Sequence, residues 1–332
     1  MEFSILAGNR SHKPAQGCPK ANPRSSRHPN LLPVAKLILF LSSSILSSSC
    51  LSTAAQVELV DGNNVMQHVE QIISFGPHPP GSEAQHKVGD YLEERLESYG
   101  LEVNTQVFRP MTPLGRREMR NIWAVSQGTT ESVIILASHY DSKYFEDFPF
   151  LGANDGGSSS ALVLELARIL AIDNPTEHTL WFVFFDGEEA FDDWTSTDSL
   201  YGSREFVGML KARNWLHRID ALILLDMVGE KDLVLRKDVN STNWLNALIW
   251  DTASQMGHED IFRMRGSTGA QDDHIPFAQE GVSVVDIIDL DYAHWHRQED
   301  TLDKLSSENL EIVGNVILGS LTAISRYRGA PR

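Results

Sequence analysis

Cysteine is nearly absent from this chain of 332 residues, which holds only Cys18 and Cys50, both within the first fifty positions. Everything downstream is therefore without an internal disulfide, a cysteine nucleophile or a thiolate metal site. Positive charge is scarce too. Lys and Arg number 28 against 45 Asp and Glu, a formal net charge of −17, and no basic stripe offsets that surplus along the sequence. Nucleic acid and anionic membrane surfaces are excluded as partners on that ground, and a small or peptidic substrate fits better. Beyond Gln56 there is no repeat, no low-complexity tract and no Gly/Ser- or Pro-rich linker. One catalytic domain over residues 56–332 is expected, since α/β enzymes of this size commonly fold round a single core.

A run long enough to cross a membrane is missing as well. The apolar stretch LLPVAKLILFLSSSILSSS (31–49) has a short core after Lys36 and ends among Ser and Ala. That suits the h-region and cleavage site of a signal peptide better than a stable span. Residues 1–55 are expected to be a leader, and the protein to be exported, periplasmic or secreted. Ser47-Ser48-Ser49-Cys50 also resembles a lipoprotein cleavage box without its large aliphatic residue, which makes a lipid anchor at Cys50 the alternative. The long region ahead of the apolar run is also compatible with a start downstream of Met1.

Two apolar stripes at helical spacing occupy residues 64–100, separated by the breaker GPHPPGS, and the second is closed by Gly100. Short β-branched runs then recur at VIILASHY (133–140), TLWFVFFD (179–186), ALILLDMV (221–228) and VSVVDII (282–288). Helical patterns such as SSALVLELARIL (159–170) lie between them. The alternation predicts an α/β fold with a largely parallel sheet and helices on both faces. Polar residues sit where the apolar runs end: His139 and Asp141, then Asp186 to Glu189, then Asp226. The carboxyl ends of strands are where such sheets bind ligands, so these groups are expected to converge at one rim.

Each motif has an ordinary structural explanation when taken singly. GANDGG around Asp155 reads as a turn and helix N-cap, the pair Glu188-Glu189 as solvated surface, and His296 as a packed imidazole beside Trp295. The acids, however, directly follow WFVFFDG, a buried-strand pattern, and charge at the mouth of a core strand is costly without something positive nearby. One His and two carboxylates match the ligand set of a catalytic zinc site with an open position. Glu188, adjacent to a ligand, is placed to act as general acid and base.

HYDSKYF (139–145), GANDGG (152–157), FFDGEEAFDDW (184–194), DSLYGSREF (198–206), LLDMVG (224–229), QDDHIPF (271–277) and Trp295-His296 occur in an order that resembles the zinc aminopeptidase-like superfamily. Within it they look most like the glutaminyl cyclases, of bacterial type. The resemblance implies a three-layer αβα fold with a mixed, largely parallel central sheet. It implies one Zn2+ held by Asp155, Glu189 and His296, with Glu188 as proton shuttle. Asp226 and Asp272 would form an acidic network near Glu188, while Trp194, Gln271 and Trp295 would shape the pocket. The implied reaction converts the N-terminal glutamine of peptides or proteins to pyroglutamate with release of ammonia.

Two departures from animal-type cyclases accompany the likeness. Ser138 and Ser160 stand where those enzymes carry a cysteine pair, and residues 229–269 lack a Pro- and Phe-rich insertion. The main alternative is a two-zinc aminopeptidase, with His139 and Asp226 holding a second metal, Asp155 bridging and Glu188 activating water. A binding module of the same fold is a third reading, opposed by the intact Asp155, Glu188, Glu189 and His296.

Overall fold

The four apolar runs that stand out in the sequence lie side by side. A computed structural model describes residues 58–172 and 174–327, so the leader, with Cys18 and Cys50, lies outside the described residues. In chain order the elements are α1 (Gly62–Ser74), α2 (Glu83–Ser98), β1 (Glu102–Phe108), a small hairpin of β2 (Met111–Thr112) and β3 (Gly115–Arg116), then β4 (Met119–Ser126) and β5 (Val133–His139). There follow α3 (Ser159–Ile172), β6 (Thr179–Phe185), α4 (Tyr201–Ala212), β7 (Ile219–Asp226), β8 (Leu235–Asp238) and α5 (Asn243–Gln255). The chain ends with β9 (Phe262–Thr268), α6 (His274–Gln279), β10 (Val284–Ile288) and α7 (Ser307–Arg326).

Local signals account for the first two helices. The Asp61 carboxylate caps α1 by accepting from the Asn63 N–H, and the Ser82 hydroxyl caps α2 by accepting from the Gln85 N–H. Gly100 ends α2 at φ +80°.

The central sheet has the order β1-β4-β6-β5-β7-β10. β6, β5, β7 and β10 are mutually parallel, while β4 and β1 are added antiparallel at one side. Those parallel strands are the four apolar runs of the sequence. β1 gives no such signal because it is an edge strand whose residues are exposed or half-buried.

Alternation along each parallel strand sorts side chains to two cores. Ile134 and Leu136 of β5, Phe182 and Phe184 of β6, and Ile223 and Leu225 of β7 pack with α1, α2, α3, α5 and α7. Their neighbours Ile135, Val183, Phe185 and Leu224 face α4 and α6. Burial on both faces, worth about 1.5–3 kcal/mol for each large apolar side chain, explains why these strands read as continuous apolar runs. The result is a three-layer αβα fold with a mixed, largely parallel sheet. Ser138 and Ser160 meet within the larger core, with their Oγ atoms 3.3 Å apart.

Candidate active site

Parallel strands deliver their last residues to one edge, and the site is assembled there. His139 and Asp226 are the final residues of β5 and β7, and Glu188 and Glu189 follow β6 after two residues. Asp155 lies in a kinked turn, Ala153–Ser158, that leads into α3. Gly156 in that turn adopts φ +78°, and a Cβ on it would stand 2.8 Å from His139 Cε1. Only glycine allows the turn to lie on the imidazole.

Two buried carboxylates hold the loops. Asp141 Oδ1 accepts the N–H groups of Gly187 (2.8 Å) and Glu188 (3.1 Å), and its Oδ2 accepts that of Glu189 (3.2 Å). Asp300 does the same for the Asp155 turn, accepting the N–H groups of Asn154 (2.9 Å) and Asp155 (3.1 Å) while Tyr292 donates its hydroxyl at 2.7 Å. His296 is held at φ +56°, a left-handed conformation that costs a non-glycine residue about 1 kcal/mol or more. The rings of Phe145 and Phe150 pack edge-on against its imidazole.

Two groups of three side chains bring one ligand atom each within 4.8 Å of one another: Asp155, Glu189 and His296, and His139, Asp155 and Asp226. Asp155 belongs to both. His296 Nε2 is 3.0 Å from Glu189 Oε1 and 3.4 Å from Asp155 Oδ2, and His139 Nε2 is 3.2 Å from Asp226 Oδ1. Burial opposes ionisation of Asp155, yet His139 and His296 hold its carboxyl well below the usual range. Burial likewise opposes protonation of His296, but Glu189 and Asp155 prevail and raise it to about 10. Asp155 Oδ2 is buried with no hydrogen-bond partner. Three buried carboxylates, two imidazoles and one orphaned oxygen fit a divalent cation bound by N and O donors. The sequence reading missed Lys143, whose Nζ lies 3.2 Å from Glu189 Oε2 and donates to Ala190 O at 3.0 Å.

The first of these groups opens onto a pocket of about 360 Å³ lined by Glu188, Asp226, Gln271, Asp272, Trp194 and Trp295 among others. All the sequence-derived site residues except His139 line it, and His139 lies directly beneath through Asp155 and Asp226. Trp194 and Trp295 are 42% and 43% exposed, so they form the lip of the pocket and are not core packing. Glu188 is 6% exposed, and burial together with the charge of Asp272 pushes its carboxyl well above the ordinary range. Burial and Asp226 bring Asp272 to about 7. Among the described residues neither Asp226 nor Asp272 hydrogen-bonds to Glu188 directly; Asp272 acts on it through charge, and Asp226 acts in turn on Asp272.

Behind Asp272 lies a second group that sequence reasoning did not single out. His274 sits between Asp238 Oδ2 (3.5 Å) and Asp286 Oδ2 (3.4 Å), all fully buried. The available signal was Asp286 itself, a charge in the middle of the apolar strand β10.

The profile of peptidase family M28 matches residues 121–321. The chain belongs to that family. It is 33% identical over 282 residues to the glutaminyl-peptide cyclotransferase of Bos taurus, covering 72% of this chain and 77% of that one. A glutaminyl cyclase crystal structure from an Acidobacteriales bacterium superposes with a TM-score of 0.78 at 36% identity, over 82% of this chain and 97% of the other. A leucine aminopeptidase precursor from Bacteroides thetaiotaomicron, at 25% identity, gives a TM-score of 0.74 over 82% and 99%. The M28 fold thus spans both chemistries that the motifs leave open, and the sequence likeness is greater on the cyclase side.

Proposed function

We propose that this protein is a glutaminyl-peptide cyclotransferase that converts N-terminal glutamine to pyroglutamate. One observation carries the reading: Glu188, buried and raised in proton affinity, shares an aromatic-lipped pocket with the cluster Asp155, Glu189 and His296. Asp155, Glu189 and His296 would hold one zinc ion, which when bound supplies Lewis-acid polarisation of the substrate's γ-carboxamide oxygen. Glu188 accepts a proton from the α-amino nitrogen as that nitrogen bonds to the carbonyl carbon of the side-chain carboxamide. It returns the proton to the departing amide nitrogen as the old C–N bond breaks and ammonia leaves. Burial and Asp272 keep the proton affinity of Glu188 high enough for both transfers, with Asp226 acting on Asp272. Trp194, Trp295 and Gln271 select the folded-back glutamine side chain and limit water, which favours ring closure over hydrolysis. The acidic pocket suits a cationic peptide terminus. The leader motif of residues 31–49 supports the further reading that the enzyme acts after export.

A two-metal aminopeptidase is the second reading, favoured by the His139–Asp155–Asp226 group and the sharing of Asp155. Zinc-loaded protein is to be given a Gln-peptide and a Leu-anilide, and ammonia, pyroglutamate and released amine measured together. Cyclisation without Leu release is expected. Leu release alone, with two metals per chain, overturns the cyclase reading.

A further inference from the structure

Although the chain carries a net charge of −17, four of its cations, Arg236, Lys237, Arg263 and Arg265, gather on the two strands β8 and β9. The sequence hides this patch because α5 separates its halves. The strands run parallel, with Leu235 opposite Phe262 and Lys237 opposite Ser267, so two steps along β8 face five along β9. The surplus is extruded as the segment Arg263-Met264-Arg265-Gly266, which is exposed throughout and turned by Gly266 at φ +85°.

This bulge adjoins the mouth of the pocket. The Arg236 side chain runs beneath it, its Cδ 3.3 Å from where a Cβ on Gly266 would stand. The Arg236 guanidinium pairs with Asp291, which begins the loop leading to Trp295 and His296. β9 itself continues into Gly269, Ala270 and Gln271, which line the pocket. Asp260 neutralises Arg263 at 3.5 Å. Among the described residues, Lys237 and Arg265 have no carboxylate within 4.0 Å, so their charge is open to a ligand.

We infer that this bulge is a subsite for acidic residues of the peptide substrate, downstream of the glutamine in the pocket; the inference rests on the cyclase reading. Arg265 stands four residues before Gly269 and so within about 13 Å of the lip at about 3.3 Å per residue. A peptide threaded from the pocket covers that distance in about four residues, which places the preferred acids near its fourth and fifth positions. An ammonium-accepting pocket beside a cationic bulge selects a dipolar chain: positive terminus, negative segment.

The test uses two labelled Gln-peptides that differ only in carrying Asp or Lys at positions four and five, with glutaminyl-amide as a control lacking that segment. At low ionic strength the acidic peptide is expected to show a KM roughly 3–10-fold below its lysine counterpart with equal kcat, as two exposed charge pairs allow. About 0.5 M salt removes the difference. K237E/R265E should reverse the ranking while leaving glutaminyl-amide turnover unchanged. Equal KM values for the two peptides in the wild type, or an equal change of all three substrates in the variant, overturns the subsite. Anisotropy titration of the same peptides separates the two failures. A retained acidic preference without cyclisation sinks the cyclase reading and keeps the subsite, whereas cyclisation without preference does the reverse.

Discussion

On one side of Glu188, the carboxylates of Asp155 and Glu189 face His139, His296 and Lys143 at 3.0–3.4 Å. On the other side, Asp272, Asp273 and Asp286 are buried around a single imidazole, His274, and both oxygens of Asp273 and of Asp286 have no hydrogen-bond partner. The first region has donors converging on its acids and space for a cation between them. The second crowds its acids round one imidazole, and burial with mutual repulsion raises Asp272, Asp273 and Asp286. Desolvated carboxylates without counter-charge take up protons instead. On the proposed reading one half of the pocket satisfies its charge with a metal, the other with protons, and Glu188 stands where the two meet.

The largest expected effects test that boundary directly. Glu188→Gln should retain zinc, by mass-spectrometric metal analysis, while kcat falls about 10²–10⁴-fold, the range for losing a general acid-base group. Glu189→Ala should lose the metal itself. Full turnover by Glu188→Gln removes the proton shuttle from this side chain and with it the division drawn above.

A smaller effect sharpens it. Asp141→Asn withdraws an acceptor from the three N–H groups that fix the Glu189 loop, so metal affinity should fall by about 10–100-fold, as for other partners that orient ligands. Asp272→Asn, on the proton side, should leave metal affinity unchanged and lower kcat at constant KM. A chelator competition series for both variants measures this, and equal metal loss in the two would show that the halves are a single unit.

Much of the metal half is legible in the sequence because its residues end apolar strands. The position of His139, Glu189 and Asp226 follows from strand periodicity, and Asp155 from a turn motif. The supports are less legible. Asp141 shows itself as a polar residue at a strand end, but it and Asp300 act through backbone N–H groups, which carry no sequence signature, and Lys143 reaches Glu189 only because the loop after β5 folds back. The proton half is harder still. Asp238, His274 and Asp286 come from three separate elements, and only Asp286 breaks an apolar pattern. The basic bulge is invisible because its cations are divided by α5 and joined by a register shift. Among the architectural elements, β1 was unreadable for a related reason: an edge strand half open to solvent has no apolar run to show.

Glu230 offers the mildest probe, an acid-only pair without catalytic duty. It is buried beside Asp289, and burial together with that neighbour raises it to about 8 from an ordinary 4.5. Asp289 meanwhile accepts the N–H groups of Val234 and Asp291. An acid whose folded pKa lies above its unfolded value binds the proton more tightly when folded. Its contribution is therefore full below about 4.5, declines as pH rises between the two values, and is lost above about 8. Glu230→Gln is neutral throughout and should become relatively more stable across that window. The Tm difference from wild type, followed by calorimetry from pH 5 to pH 9, should grow in the variant's favour by about 2–4 °C for each 1 kcal/mol of strain relieved. A gap that stays constant with pH would mean that Glu230 is ionised in the folded protein, and that crowding carboxylates without a cation does not suffice here to keep one protonated.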